Sequence, residues 1–227
     1  MNPGVSPGAT SSIAVSPGKA WAMVVLLFFF MFINFADKVV IGLAAVPIMT
    51  ELNIPPDQFG LVGSSFFLLF ATSAIIVGFV VNRVKAKWVL LVMATIWALT
   101  QFPMVGAVGF GTLIACRVAL GAGEGPAYPV ALHAVYKWFP DEKRALPSSI
   151  IAIGSSVGIM VAAPSLTWVI ERYNWHMAVG VLGAVGLIWV LAWLLLGEEG
   201  PIGDPEHLAS AATGDRGARV PDRKSVV

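Results

Sequence analysis

Six stretches of this chain are each long and apolar enough to cross a bilayer, and a sequence divided in that way has few folds open to it. A spanning helix needs about 20 apolar residues for a hydrocarbon core of about 30 Å. Residues 20–49, 58–81, 87–107, 109–137, 145–170 and 176–196 meet that requirement. The connections are short, which favours antiparallel neighbours in a compact bundle. Of the 227 residues, 57% are hydrophobic and 12% charged, against about half and a quarter in soluble domains. Such a chain has too little polar surface to cover a water-soluble globule. The expected fold class is an all-α membrane protein with six transmembrane helices. Lys19 before an apolar run resembles a signal peptide, but the run is too long and lacks a small-residue cleavage site.

Residues 1–19 are rich in Pro, Gly, Ser and Ala and read as a disordered tail. The spans make one domain over 20–196, and 197–227 is a polar tail. Loop charge sets orientation. One side holds Lys19, Arg83, Lys85, Lys87, Lys137, Lys143 and Arg144; the other holds only Arg172, with Glu51, Asp57 and Glu171. Both termini are therefore expected in the cytoplasm, in a multi-pass protein of the plasma (inner) membrane with the lipid bilayer as a partner. Trp21, Trp88, Trp138, Trp168 and Trp175 fall near span ends, where an indole can anchor at the interface. Gly154, Gly158 and Ala162 form a small-residue stripe on the fifth span, and Gly180, Gly183 and Gly186 another on the sixth, both suited to close helix packing.

Several function classes drop out. A net charge of +1 from 14 basic and 13 acidic residues gives no bulk attraction for nucleic acid. One Cys allows no disulfide framework, and Cys116 reads as a small packed side chain. His133, His176 and His207 have no metal-ligand spacing, so no metal site and no cofactor is expected. The GAGEG segment at 121–125 lacks the strand–turn–helix setting of a dinucleotide loop. No Gly-x-Ser-Gly tetrapeptide offers a serine nucleophile, and no enzyme activity is expected.

Four ionisable side chains lie deep in the spans: Asp37 and Lys38 in the first, Arg117 and Glu124 in the fourth. Each costs roughly 2.5–3.5 kcal/mol near a helix centre, so about 10–14 kcal/mol for four facing lipid. They are therefore expected to face the bundle interior or a water-filled cavity and to compensate one another. Arg117, Gly121, Glu124 and Tyr128 share one face of a continuous helix. Arg117 and Glu124 are about 10 Å apart along the axis, too far to neutralise each other fully. Asn34 lies one turn before Asp37, whereas Lys38 points about 100° away. Ser155, one turn from Gly158, can add a polar contact. Buried salt bridges that only orient helices are one reading. The other is a carrier: two carboxylates exchange protons and two cations hold an anion.

The residues that carry these charges resemble the major facilitator superfamily, and within it the anion:cation symporter family, over about residues 20–196. NFADKVVIGLAAVPIM is similar to that family's first helix, ACRVALGAGEGPAYPVALHAVYKWFPDEKRA to its fourth helix and the following loop, GSSVGIMVAAP to its fifth and NWHMAVGVLGAVGLIWVLAW to its sixth. The resemblance implies one half of the superfamily fold, as two three-helix inverted repeats. It makes Asp37 and Glu124 the proton-coupling acids and places Arg117 in the substrate cavity, with Lys38 where the family usually has Arg. Lys offers a point charge and not a bidentate fork. Phe35 and Phe70 stand where relatives often carry Tyr. The loop after the second span keeps its basic Arg83, Lys85 and Lys87 as a cytoplasmic gating loop, but Asn82 replaces the signature Asp and Ala86 its second Gly.

The expected function is proton symport of a small organic anion such as a carboxylate, with substrate contacts from Lys38, Arg117, Asn34, Tyr128 and Ser155. The tail after Leu196 resembles a shortened linker to a second half. The chain is therefore expected to pair with a second half or a second copy, or to be a truncated non-transporting remnant or membrane interaction module.

Overall fold

The computed structural model describes residues 16–202, and all regular structure among them is helical. Most of the expected tails, 1–15 and 203–227, lies outside the described residues. Within them α1 (Pro17–Leu43) already starts at Pro17, whose missing N–H costs nothing in a first turn. At the other end, the Ile202 N–H donates to the Lys137 carbonyl at 3.0 Å, so the chain after the last helix folds back on the bundle.

Six helical rods run through the described chain. The first is α1 continued by α2 (Ala45–Leu52), the second α3 (Pro56–Ser65) continued by α4 (Phe67–Val80). The third is α5 (Ala86–Gln101) with a 3-10 turn, Phe102–Met104. The fourth comprises α6 (Phe110–Glu124) and α7 (Ala127–Tyr136), followed by α8 (Ala145–Arg172) and α9 (Trp175–Leu196). Five rods are long and apolar enough to span a membrane. The fourth is the exception and corrects the expectation of one continuous span over 109–137. Pro126 and Pro129 each lack an N–H and crowd the carbonyl four residues back, which breaks the rod beside Glu124. Pro47 acts in the same way on Leu43 and separates α2 from α1.

Backbone-to-backbone contacts set the packing. Gly154 and Gly158 of α8 lie against the carbonyls of Phe28 and Phe32 on α1. Gly121 and Gly125 of the rejected dinucleotide-like segment lie against the carbonyls of Phe66 and Phe70. A Cβ at any of these four positions would overlap a carbonyl oxygen, so only Gly permits the approach. Gly183 and Gly186 of α9 similarly meet Gln101 and Ala98 of α5.

Two apolar cores result. One contains Phe30, whose ring lies 4.6 Å from Trp97 and 4.9 Å from Trp189; the other gathers Ile48, Met104, Leu113 and Trp175. They meet between Ile33 and Ala36 on α1, between Ala98 and Met104 on the third rod, and between Cys116 and Leu120 on α6. Asp37, Gln101 and Arg117 sit at that seam. Trp21, Trp88 and Trp168 are exposed as expected of interface anchors, but Trp138 and Trp175 are buried. Trp175 instead donates its indole N–H to Glu51 at 2.7 Å.

Gly121→Ala is expected to destabilise the bundle by about 1–3 kcal/mol, as overpacking does. Gly42, where an added methyl would meet nothing within 4 Å, should tolerate the same change. Unfolding of the purified variants in detergent checks both, and equal losses would contradict the packing described.

Candidate functional site

Adjacent residues on α1 reach two different rods. The Asp37 carboxylate, 1% exposed, accepts from Gln101 Nε2 on α5 at 3.0 Å. Lys38 Nζ turns toward α6 and donates to Glu124 Oε2 at 2.6 Å and to Asn34 Oδ1 at 2.5 Å. Its ammonium also lies 4.7 Å from the Phe35 ring centroid. The Glu124 side chain has no exposed surface, so a unit charge there needs a partner, and Lys38 provides one across the bundle.

Arg117 is arranged differently. It is 4% exposed, its guanidinium lies 4.7 Å from the Phe66 ring centroid, and it forms no ion pair among the described residues. Its Nε and Nη1 are buried without a hydrogen-bond partner, as are Asn34 Nδ2, Gln101 Oε1 and Glu124 Oε1. Each such atom costs about 1–3 kcal/mol while unpaired. Lys38 and Arg117 line one cavity of about 230 Å3 with Ile41, Gly42, Phe59, Gly63, Phe66 and Phe67. A larger one, about 500 Å3, lies at the α1 and α8 N-termini around Trp21, Trp138 and Lys143 and holds none of the buried charges.

The structure therefore joins Asp37, Lys38, Glu124, Asn34 and Arg117 in one region. It does not join the remaining candidates to them. The break at Gly125 and Pro126 ends the shared face before Tyr128, which is 41% exposed on α7. Ser155 is half-buried on α8 and makes no side-chain hydrogen bond among the described residues. In the loop after α4, Arg83 and Lys85 are exposed, and the Lys87 ammonium lies 5.8 Å from the Trp88 ring centroid. Asn82 donates to the Gly78 carbonyl at 3.1 Å.

Two participants give no signal of buried charge in the sequence. Gln101 is uncharged, although it is a polar side chain inside an apolar span. Glu199 follows the last span in what read as a polar tail. Its carboxylate accepts the backbone N–H groups of Ala86 and Lys87 at 3.2 and 3.0 Å and pairs with Lys137 at 2.5 Å. It caps the start of α5, where aligned peptide dipoles favour an anion.

The described residues form a helical membrane bundle in which an arginine without an ion pair and an acid paired across rods meet at a polar seam. The Major Facilitator Superfamily model matches residues 27–224, and the chain belongs to that family. It is 29% identical over 178 residues to the hexuronate transporter of Escherichia coli (strain K12), covering 78% of this chain and 41% of the relative. It is 28% identical over 177 residues to the galacturonate transporter of Dickeya chrysanthemi, covering 78% and 51%. Among solved structures, it is similar to a bacterial homologue of the human lysosomal transporter Spinster, in an inward-facing, unoccupied conformation. The TM-score is 0.74 and the identity 23%, over 84% of this chain and 46% of that one. The chain thus spans about half the length of the proteins it matches.

Lys38→Met leaves Glu124 buried and unpaired and is expected to cost toward the lower end of about 3–5 kcal/mol, because Lys38 keeps some solvent contact. Adding Glu124→Gln should recover most of that loss in a double-mutant cycle followed by unfolding in detergent. Additive losses would mean that the two side chains do not pair.

Proposed function

We propose that this chain forms one half of a proton-coupled secondary transporter for a small organic anion, with a sugar-acid carboxylate as the favoured class. The observation that carries the proposal is the contrast between two buried cations. Lys38 is held by Glu124 and Asn34, whereas Arg117 presents two N–H-bearing atoms without a protein partner beside the cavity that both residues line. A guanidinium in that state matches the two oxygens of a carboxylate. The relatives named for hexuronate and galacturonate carry substrates with one such group.

Glu124 is the coupling acid. When it takes up a proton it loses its charge, and Lys38 is released to make a second contact with the anion. Asp37, held by Gln101, is the second acid on the same helix as Lys38. Asn34 contributes its unpartnered Nδ2. Tyr128 and Ser155 have no place in this reading. The basic loops put both termini and the Arg83, Lys85 and Lys87 loop in the cytoplasm, in the plasma (inner) membrane. A second six-helix half completes the cavity. The exposed apolar residues Leu61, Phe67, Leu68, Ile75, Ile76 and Phe79 of the second rod offer a face for it.

Proteoliposomes containing this chain together with its second half, and labelled galacturonate, test both roles. Arg117→Gln should weaken binding about 10–100-fold, the value of a charge-assisted hydrogen bond. Glu124→Gln should retain exchange of labelled for unlabelled substrate but lose accumulation driven by a pH gradient. Accumulation by Glu124→Gln at the wild-type level would sink the coupling role, and unchanged affinity in Arg117→Gln would sink the binding role.

A further inference from the structure

A second set of ionisable groups meets at the end of the bundle opposite Glu199. Glu51 on α2 lies beside the first turn of α9. Its Oε2 accepts the Trp175 indole N–H at 2.7 Å, and its Oε1 lies 2.8 Å from His176 Nε2. The other ring nitrogen, Nδ1, lies 2.6 Å from the carbonyl oxygen of Met104, in the turn that ends the third rod. The imidazole stacks on the buried Trp175 ring with centroids 3.8 Å apart. The His176 side chain is 14% exposed and the Glu51 side chain 45%, so water reaches the junction from the Glu51 side.

Counting hydrogens settles what this arrangement needs. A carbonyl oxygen can only accept, so Nδ1 carries a hydrogen. An ionised carboxylate can only accept as well, so the contact at Nε2 needs a hydrogen of its own. A neutral imidazole beside a carboxylate has one hydrogen for two acceptors. The junction as built therefore holds one proton more.

We infer that Glu51 and His176 form a second proton-binding site, a clamp that ties α2, the turn at Met104 and α9 together and loosens when its proton leaves. The clamp goes beyond the transport reading and does not rest on it. Hydrogen bonds from His176 and then Trp175 hold the Glu51 carboxyl below its usual range, which places the extra proton on the imidazole. Two limits follow. A carboxyl depressed by folding contributes stability above its unfolded value and loses it as pH falls through the folded one. At the alkaline limit, loss of the imidazole proton leaves two acceptors facing each other at Nε2. The clamp thus stands only while the imidazole holds its second hydrogen. The Met104 turn contributes no titratable side chain. Asp57 on α3, and Glu171, Arg172 and Tyr173 before α9, are exposed and form no ion pair with Glu51 or His176 among the described residues.

The chain has three histidines, so 15N-histidine labelling of the full protein in bilayers resolves this site directly. Signals are assigned from the one each of His133→Gln, His176→Gln and His207→Gln removes. The expected wild-type result is a His176 ring with both nitrogens protonated at the acidic end of the titration. After it loses one proton, the remaining hydrogen should stay on Nδ1. Glu51→Gln should change the Nε2 signal of His176 and leave the other two histidines unchanged. A neutral His176 with its hydrogen on Nε2 overturns the proposal from the wild-type spectrum alone, whether or not the variant folds. So does a His176 Nε2 signal that Glu51→Gln does not alter.

Discussion

The rest of the site depends on one fact: Glu124 is an acid with no exposed side-chain surface in the middle of an apolar bundle. An isolated charge in that position costs several kcal/mol even after relaxation, so the fold has to bring a cation to it. Lys38 meets it from another rod at 2.6 Å, and Asn34 braces the same ammonium from one turn away. Committing Lys38 to that role leaves Arg117 as the buried cation without an ion pair among the described residues. Phe66 shields one face of Arg117, but an aromatic face offers a guanidinium no hydrogen-bond acceptor. One pairing thus determines which cation is held and which has bonds to spare.

That pairing is possible because glycines allow the rods to approach. In lipid there is little hydrophobic force between helices, and van der Waals contact between backbones has to supply the association. Gly154 and Gly158 bring α8 onto α1, and Gly121 and Gly125 bring α6 onto the junction of α3 and α4. Gly121 and Gly125 fix the height of α6 against Phe66 and Phe70, and Arg117 on the same helix lies with its guanidinium 4.7 Å from the Phe66 ring. The break at Pro126 falls immediately after Glu124, so the acid ends a helix and does not sit within a continuous one.

The apolar runs and the four charges within them were legible in the sequence because each violates or obeys the cost of burial residue by residue. The rods, the seam and the need for cross-pairing follow from that cost. What could not be read depends on direction in space. Periodicity places Tyr128 on the face of Arg117 only if the helix is continuous, and two prolines interrupt it. Gln101 carries no charge, so a search driven by charge passes over it, although its amide holds Asp37. Glu199 and Glu51 lie in polar connecting segments, where composition alone gives a solvated loop, and His176 opens the sixth span. Their partners are a helix N-terminus, an indole and a carbonyl more than 70 positions away in sequence.

Backbone contact and charge also do different work in the bundle. The glycine contacts join α1 to α8 and α6 to the second rod, and nothing about them changes with protonation. The hydrogen bond from Lys38 to Glu124 runs between those two pairs, from α1 to α6. A proton arriving at Glu124 removes the charge that holds Lys38 but leaves every carbonyl-to-glycine approach intact. Asp37, bonded to Gln101, continues to tie α1 to α5. A change of charge at the acid therefore acts on one join between rigid units and not on the units themselves. Adjacent residues on α1 achieve that separation because successive side chains on a helix point about 100° apart.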